Sequence, residues 1–263
     1  RTLRVAAEAA VNKKLVLIFE GNKLVDKTVI AEYGVTHKSH VDVFIKHLTL
    51  LCTVGGKNPS RDGGTPQSAS GRIFVFDPES GRWAEGPAMP TRRFNASAVM
   101  LGGQLYVLGG AGFAEAGRAM EVFDPQDRSW QSCAMMPTCR EGLCAVVVDD
   151  KIYAFGGAAG RDFRSTAEAA EVFDPKTQAW TERAPMPLPR KYLAAAVLDD
   201  KIYVIGGANP EGRACHDLFV YDPQNGLWDT GPGMPSARWG LSAAAVNGKL
   251  YAIGGEHHDR PAG

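Results

Sequence analysis

Few side chains in this sequence of 263 residues stand at spacings that could support acid–base or metal chemistry. The run His257-His258-Asp259 could ligate a metal ion, but adjacent residues in a terminal loop make a poor chelate, so we predict a solvated loop. The sequence lacks a Gly-x-Ser-x-Gly motif, a phosphate-cradling glycine loop and a His-Glu-x-x-His motif. We therefore predict no catalytic residue, no metal site, no cofactor and no enzymatic activity.

The cysteines also lack the spacing of a metal site or a disulfide framework. Their number is odd, and no two stand as Cys-x-x-Cys: Cys52, Cys133, Cys139, Cys144 and Cys215. This usage favours reduced thiols and a cytoplasmic or nuclear location. No apolar run is long enough to span a bilayer. With 29 basic and 29 acidic residues the chain has no basic excess, so we expect neither nucleic acid nor a membrane as its partner.

Four arginines recur in the motif Met-Pro-x-x-Arg and raise the question of an anion site. They are Arg93, Arg140, Arg190 and Arg238. Because they occupy equivalent positions in a repeat, structural pairing between the repeated units is the favoured interpretation, and an anion site is the alternative.

The arginines belong to a unit in which four landmarks recur in the same order. An aromatic-Asp-Pro triplet is followed by a tryptophan, then by Met-Pro-x-x-Arg, and then by an apolar stretch that ends in Gly-Gly. Successive tryptophans lie 47 to 50 residues apart, at Trp83, Trp130, Trp180 and Trp228. A period near fifty residues indicates stacked supersecondary units.

Each landmark predicts a local structure. Two apolar runs split by a polar turn, as in residues 145–155, predict a hairpin of buried strands. Gly-Gly ends the second strand, and a loop of variable length leads to a third strand that ends in an Asp-Pro turn. The fourth strand carries the tryptophan, whose ring can fill the space between neighbouring sheets. Four strands per unit, arranged radially, predict an all-β propeller.

These landmarks closely resemble the kelch repeat, over about residues 51–255. In kelch propellers the chain ends often share one blade, so residues 71–92 and 238–255 would together complete a blade. This gives four blades, with residues 51–56 as one extra strand. We therefore expect at least four blades' worth of strands in an incomplete ring, and Arg1 in place of Met agrees with a fragment.

Residues 1–48 lack the repeat and resemble the second half of a ubiquitin-like β-grasp domain. The matching pattern is Leu17-Ile18-Phe19-x-Gly21-x-x-Leu24-x-Asp26, then Ile30-x-x-Tyr33-x-Val35 and Ser39-x-Val41-x-Val43. The N-terminal hairpin and an in-register diglycine tail are missing, so the resemblance implies a partial, non-conjugated module. Its recognition face would include Ile18 and Phe44. The predicted division is 1–48 ubiquitin-like, 49–258 kelch repeats and 259–263 a tail.

The loops after Gly-Gly are the predicted binding surface, because repeat proteins keep strands constant and vary the loops on one face. By resemblance to kelch domains, the repeated arginine and the residues just after it also line the binding mouth. The predicted partner-binding residues are Arg93, Asn95, Arg140, Glu141, Arg161, Phe163, Arg164, Lys191, Arg213 and Trp239.

The resulting prediction is a non-enzymatic protein–protein interaction module that binds a partner or substrate protein on its loop face. The two resemblances together imply an adaptor in a ubiquitin-ligase or proteasome pathway. The alternative is a kelch-fold copper oxidase of the galactose-oxidase type. That chemistry needs a particular Cys, Tyr and His constellation, which the sequence does not identify.

Overall fold

The computed structural model describes residues 14–15, 40–41, 51–56, 69–77, 80–112, 115–159 and 165–257. Its first twelve strands are β1 Lys14–Leu15, β2 His40–Val41, β3 Leu51–Val54, β4 Ile73–Asp77, β5 Arg82–Glu85, β6 Arg93–Phe94, β7 Ser97–Leu101, β8 Gln104–Leu108, β9 Ala111–Gly112, β10 Met120–Asp124, β11 Ser129–Ser132 and β12 Arg140–Glu141. The next twelve are β13 Cys144–Val148, β14 Lys151–Phe155, β15 Ala158–Ala159, β16 Ser165–Thr166, β17 Ala170–Asp174, β18 Ala179–Glu182, β19 Ala194–Leu198, β20 Lys201–Ile205, β21 Leu218–Asp222, β22 Leu227–Gly231, β23 Trp239–Val246 and β24 Lys249–Glu256. Within these ranges no helix has the length and apolarity needed to cross a membrane.

The longer strands form five consecutive blades, which we number 1 to 5. Blades 2, 3 and 4 are four-stranded antiparallel meanders: β7-β8-β10-β11, β13-β14-β17-β18 and β19-β20-β21-β22. Blade 1 contains the three strands β3-β4-β5, and blade 5 contains the two strands β23-β24, counting described residues only. The prediction of an all-β chain with four strands per repeat is confirmed.

The first and last blades do not merge into one, contrary to the expectation from the sequence. β3, which runs into Gly55-Gly56, pairs with β4 through Val54↔Ile73. It thereby occupies the second-strand position that β24 would need in a shared blade. Among the described strands β24 pairs only with β23, from Trp239↔Glu256 to Val246↔Lys249.

The predicted ubiquitin-like segment lies almost entirely outside the described residues, and so do Ile18 and Phe44. Its described part is a short parallel pairing of β1 with β2, through Lys14↔His40 and Leu15↔Val41. The resemblance of this segment to a ubiquitin-like domain therefore stays a prediction.

The hydrophobic core lies between successive blades, because each inner strand buries both of its faces. In β8, Leu105 packs with Ile73 towards blade 1, whereas Tyr106 packs in a cluster with Ile152 towards blade 3. Successive side chains of a strand point to opposite faces of the sheet. A continuous apolar run therefore supplies two interfaces at once, which explains why these strands lack polar alternation.

The aspartate of each aromatic-Asp-Pro triplet in blades 2 to 4 caps the turn that follows the third strand. Its Oδ1 accepts a hydrogen bond from the backbone N–H two residues later: Asp124 from Gln126 at 2.8 Å, Asp174 from Lys176 at 2.9 Å and Asp222 from Gln224 at 2.9 Å. This Asx geometry mimics a backbone turn and directs the chain into the fourth strand.

The tryptophan of each fourth strand links its blade to the preceding one. In blades 2 to 4 the indole Nε1 donates to a carbonyl of the previous repeat: Trp130 to Pro87 at 2.8 Å, Trp180 to Ala134 at 2.9 Å and Trp228 to Ala184 at 2.8 Å. The predicted position of these rings between sheets is confirmed. Trp83 of blade 1 is buried, but its Nε1 has no acceptor, and no blade precedes blade 1 among the described residues.

The repeated arginine contacts two consecutive blades. Its backbone carbonyl contacts the preceding blade, and its guanidinium group contacts the following one. The carbonyl of Arg140 accepts from the Gly110 N–H of blade 2 at 2.8 Å. In blade 3, its Nη1 donates to the Gly156 carbonyl at 2.9 Å, and its Nη2 pairs with Glu171 at 2.5 Å. One residue thus holds two blades together.

Two further arginines repeat this arrangement. Arg93 pairs with Glu121 in blade 2, and Arg190 pairs with Asp217 at 2.7 Å in blade 4. Arg93 is fully buried, as is Arg140. Charges withdrawn from water require close partners, and each of these has one. The interpretation of the repeated arginines as structural pairing between blades is therefore confirmed for Arg93, Arg140 and Arg190.

Breaking the buried pair should cost far more stability than breaking an exposed one. Arg140→Met leaves Glu171 buried without its counter-ion, so we expect a loss of about 3–5 kcal/mol in the free energy of unfolding, measured by urea denaturation. The double change Arg140→Met, Glu171→Leu should recover much of that loss. Arg72→Gln, which breaks the half-exposed pair with Glu85, should cost less than about 1 kcal/mol. Equal costs for the two arginine changes would contradict the structural role.

The cysteine thiols should react slowly in the folded chain. Burial, and then the charge of Glu121, raises the pKa of Cys133 to about 11. Because the thiolate is the reactive form, alkylation of Cys133 by iodoacetamide at pH 8 should be roughly a hundredfold slower than that of an unperturbed thiol. Mass spectrometry of the folded chain, with the urea-unfolded chain as the control, measures this ratio. Similar rates in the two states would contradict the burial of Cys133.

Candidate functional site

Short strands at one end of the propeller bring the segment after each Met-Pro-x-x-Arg motif against the loop after Gly-Gly. β6 pairs with β9, β12 pairs with β15, and a bridge between Lys191 and Ala208 takes the same place in blade 4. Two regions that the sequence suggested separately thus form one surface. We call it the mouth surface, and its side chains are Asn95, Glu141, Lys191, Tyr192, Arg213 and Trp239.

A backbone ladder formed by the residue two places after each arginine supports this surface. The N–H of Gly142 donates to the Asn95 carbonyl at 2.8 Å, that of Tyr192 to Gly142 at 2.7 Å, and that of Gly240 to Tyr192 at 2.7 Å. All four residues have a positive φ, between 53° and 65°. This conformation is strained for a tyrosine and persists only where the surrounding structure enforces it.

A side-chain network crosses the same four blades. Asn95 Nδ2 donates to Glu141 Oε2 at 3.0 Å, and the Tyr192 hydroxyl donates to Glu141 Oε1 at 3.1 Å. The ring of Tyr192 packs against the indole of Trp239, with centroids 5.7 Å apart. Blades 2, 3, 4 and 5 therefore each contribute one side chain to a continuous arc.

The charges and hydrogen bonds of Glu141 and Tyr192 suit these residues to holding their neighbours in position rather than to transferring a proton. Glu141 is only 9% exposed, and both of its carboxylate oxygens accept hydrogen bonds from neighbours. Burial, and then the charge of Glu141, raises the pKa of Tyr192, so its phenol stays protonated and donates. The absence of a side chain at Gly142 leaves room for the ring of Tyr192, because a Cβ at residue 142 would lie 2.5 Å from that ring.

Two cations of the mouth surface remain available to a partner. Arg213 is exposed and Lys191 is half-buried. Neither pairs with a carboxylate in the part of the chain that the structure describes. The mouth surface thus carries two cations, and the one acid beside Trp239 in register is Glu256 of β24.

The structure divides the predicted partner-binding residues into three groups. Four of them are at least partly exposed on the mouth surface, namely Asn95, Lys191, Arg213 and Trp239, and a fifth, Glu141, is buried beneath it as the acceptor for Asn95 and Tyr192. Arg93 and Arg140 do not, because both side chains are fully buried in ion pairs and cannot meet a partner, which corrects the sequence-based assignment of these two. Three lie outside the described residues: Arg161, Phe163 and Arg164.

Sequence reasoning missed Tyr192, which contacts both Glu141 and Trp239. The sequence does contain a signal, since Tyr192 occupies the same repeat position as Asn95, which is among the predicted residues. Glycine stands at this position in blades 3 and 5, at Gly142 and Gly240, so the position did not stand out as a site.

The described residues contain no group of three or more His, Cys, Asp or Glu side chains that could hold a metal ion. Of the run His257-His258-Asp259, only His257 belongs to them.

Removing the Glu141 carboxylate should loosen the mouth surface, whereas an amide should largely replace it. Glu141→Ala leaves two donors without their acceptor, so we expect a loss of about 1–3 kcal/mol in the free energy of unfolding and faster hydrogen exchange at the Tyr192 amide. Glu141→Gln retains an acceptor for Tyr192, and Asn95 can turn its amide oxygen towards the new NH₂ group. Its stability should lie within about 1 kcal/mol of the wild type. Unchanged exchange in Glu141→Ala would show that the network does not order this surface.

Two curated relatives match short stretches of the chain. A 64-residue stretch is 39% identical to kelch repeat and BTB domain-containing protein 12 of Danio rerio and covers 24% of this chain and 10% of the relative. A 42-residue stretch is 40% identical to an F-box/kelch-repeat protein of Arabidopsis thaliana and covers 16% of this chain and 11% of the relative. The aligned stretches thus span about a tenth of either relative.

A solved structure shares the fold over most of the chain. The structure of YjhT superposes with a TM-score of 0.62 at 21% identity and covers 71% of this chain and 67% of that one. At this identity the likeness establishes the propeller fold alone.

A family comparison spans the five blades. The sequence model described as the KLHDC2/KLHL20/DRC7 kelch-repeats domain matches residues 39–255, which is most of the chain. Its first matched residue lies within the segment 1–48 that was predicted as ubiquitin-like. The repeats, the blade structure and this match lead to one conclusion: the chain belongs to the KLHDC2/KLHL20/DRC7 kelch-repeat family.

Proposed function

We propose that this chain is a non-enzymatic protein-interaction module that holds a partner protein against the mouth surface. The observation that carries the proposal is the arc of Asn95, Glu141, Tyr192 and Trp239, contributed by four consecutive blades. A surface assembled from four blades is broad enough for a folded partner or a peptide. Aromatic and arginine side chains, which dominate binding energy at protein interfaces, are present at Tyr192, Trp239 and Arg213.

The partner should present acidic groups beside an apolar side chain. Lys191 and Arg213 supply accessible positive charge, and Trp239 supplies an aromatic surface that Tyr192 holds in place. Charge complementarity of this kind speeds association and excludes partners of the wrong charge.

The proposal extends to a role as a substrate-binding adaptor of a ubiquitin-ligase or proteasome pathway, in the cytoplasm or nucleus. It is supported by the BTB and F-box components in the names of two relatives, of which this chain spans about a tenth. The predicted ubiquitin-like segment, with Ile18 and Phe44 on its face, would connect the propeller to the same machinery.

Changing either the mouth cation Lys191 or the indole of Trp239 should weaken partner binding without unfolding the chain. We expect Lys191→Glu and Trp239→Ala each to lower the recovery of a specific partner about tenfold in quantitative crosslinking and mass spectrometry from cells, since both side chains would lie at the interface. Arg82→Glu, an exposed charge on β5, is the matched control and should leave recovery unchanged.

Two results would count against this function. Equal recovery by the wild type and both mouth variants would move the interaction to another surface. Stoichiometric copper in the purified protein would favour the oxidase alternative instead.

A further inference from the structure

In blades 2 and 3 a threonine and a glutamate hold the repeated arginine in the interior. In blade 3, Arg140 Nη1 donates to the Gly156 carbonyl at 2.9 Å, and its Nη2 binds Glu171 of the third strand. The hydroxyl of Thr138 donates to the other oxygen of Glu171 at 2.5 Å. Blade 2 repeats the arrangement with Arg93, Gly109, Glu121 and Thr91. We call the threonine and glutamate of each blade its clamp.

In blade 4 apolar residues take both positions of the clamp. Leu188 stands at the threonine position and is 46% exposed, and Phe219 stands at the glutamate position of the third strand. The guanidinium carbon of Arg190 lies 5.9 Å from the centre of the Phe219 ring. The face of an aromatic ring attracts a cation but offers no carboxylate oxygen to its N–H groups. Blade 4 therefore lacks the interior acceptor that the other two arginines have.

A partly exposed carboxylate binds the arginine of blade 4 instead. Arg190 Nη2 donates to Asp217 Oδ2 at 2.7 Å. Among the described residues its Nη1 donates to the Pro189 carbonyl of its own segment, and its Nε is buried without an acceptor. The side chain of Asp217 is 32% exposed, whereas that of Glu171 is 2% exposed. An ion pair that water reaches is weak and is screened by salt.

This ion pair lies beside the loop that follows the Gly-Gly pair of blade 4. The loop, residues 208–214, carries the exposed Arg213 of the mouth surface. Two backbone hydrogen bonds between Lys191 and Ala208, of 3.0 and 2.7 Å, join its start to the segment after the repeated arginine. Within the loop, the Asn209 side chain accepts from the Arg213 N–H at 2.8 Å. The loop therefore has a shape of its own and can move as a unit.

The segment on the other side of the ion pair is bound to blade 3. The Gly157 N–H donates to the Arg190 carbonyl at 2.7 Å. Tyr192 donates to the Gly142 carbonyl through its N–H and to Glu141 through its hydroxyl. If the ion pair opens, these contacts keep the segment on blade 3, and the loop of blade 4 is the part that moves.

The blades themselves would stay packed during such a movement. The core between blades 3 and 4 includes the rings of Phe155, Tyr221 and Trp228, whose centroids lie 4.9 to 5.7 Å apart. Apolar packing of this extent does not depend on one exposed ion pair. The movement is therefore confined to the mouth end of blade 4.

We propose that the loop 208–214 is a flap of the mouth surface and that the Arg190–Asp217 pair is its releasable latch. In the closed state the latch and the backbone bridge hold the flap against the segment from blade 3. In the open state the distance between the Lys191 and Arg213 side chains changes, so the positive charge of the mouth surface adapts to what it binds. The adaptation to a partner rests on the proposed function, whereas the latch is a property of the free chain.

Hydrogen exchange of the free chain, resolved to single amides by NMR, tests the latch without any partner. We expect the Lys191 and Ala208 amides to exchange about threefold faster in about 1 M than in about 50 mM sodium chloride, because salt screens a pair that water reaches. The equivalent residues of blade 3, Glu141 and Ala158, provide an internal control in the same solution. Their amides should change little, since the clamp of blade 3 is buried.

Two variants assign the effect to Asp217. Asp217→Ala introduces the residue that blades 2 and 3 have at this position, Ala119 and Ala169, so the backbone should tolerate it. We expect the two blade 4 amides to exchange about threefold faster than in the wild type at low salt, and their salt dependence to disappear. Glu182→Ala, which removes an exposed carboxylate of β18, is the matched control and should exchange as the wild type does.

Copying the clamp of blade 3 into blade 4 should lock the flap. The triple change Leu188→Thr, Asp217→Ala, Phe219→Glu offers Arg190 the side chains that bind Arg140. We expect the blade 4 amides to exchange about tenfold more slowly than in the wild type, because a buried charged hydrogen bond replaces an exposed one. The thermal melting temperature shows whether this variant is folded, and the salt dependence with Asp217→Ala decides the question without it.

Three results would overturn the proposal. Exchange at Lys191 and Ala208 that does not depend on salt would show that no ion pair holds the flap. Equal acceleration in blade 3 would show that salt loosens the propeller as a whole. Salt dependence that persists in Asp217→Ala would assign the effect to another charge. None of these results bears on partner capture, which the Lys191→Glu and Trp239→Ala variants test separately.

Discussion

The buried pairing of arginine with a carboxylate is the interaction on which the rest of the structure depends. Arg93, Arg140 and Arg190 each place their backbone in one blade and their guanidinium group in the next. A charge buried in this way tolerates little displacement, because its partners must stay within hydrogen-bonding distance. The pair therefore fixes the position of each blade relative to its neighbour, while the apolar faces supply the bulk of the burial.

The mouth surface follows from this anchor. Once the arginine is fixed between two blades, the next two residues must emerge at the same end of the propeller in every repeat. Asn95, Glu141, Tyr192 and Trp239 meet for this reason, although they lie far apart in the sequence. The buried arginine fixes the position of the segment, so the two residues after it can differ between repeats without loss of the blade contacts.

At the two ends of the described propeller, a tryptophan and an arginine lack the partners that their equivalents have between interior blades. Trp83 has the same ring position as Trp130, but among the described residues no preceding blade supplies a carbonyl to its Nε1. Arg238 has the same glycine anchor as Arg140, but no described third strand supplies a glutamate to it. Within the described residues, each end thus presents one half of an interaction that the interior blades complete.

The sequence by itself determined the repeat, the four-strand order within it, the turns at Asp-Pro and the structural role of Arg93, Arg140 and Arg190. These features depend on local chemistry and on a period near fifty residues, both of which are visible in one dimension. Only the tertiary structure decided that Arg93 and Arg140 are withdrawn from the surface, that Tyr192 joins Glu141 to Trp239, and that β3 and β24 belong to different blades. Each of these depends on which residues meet across a blade interface, and residues about fifty positions apart carry no local signal of that contact.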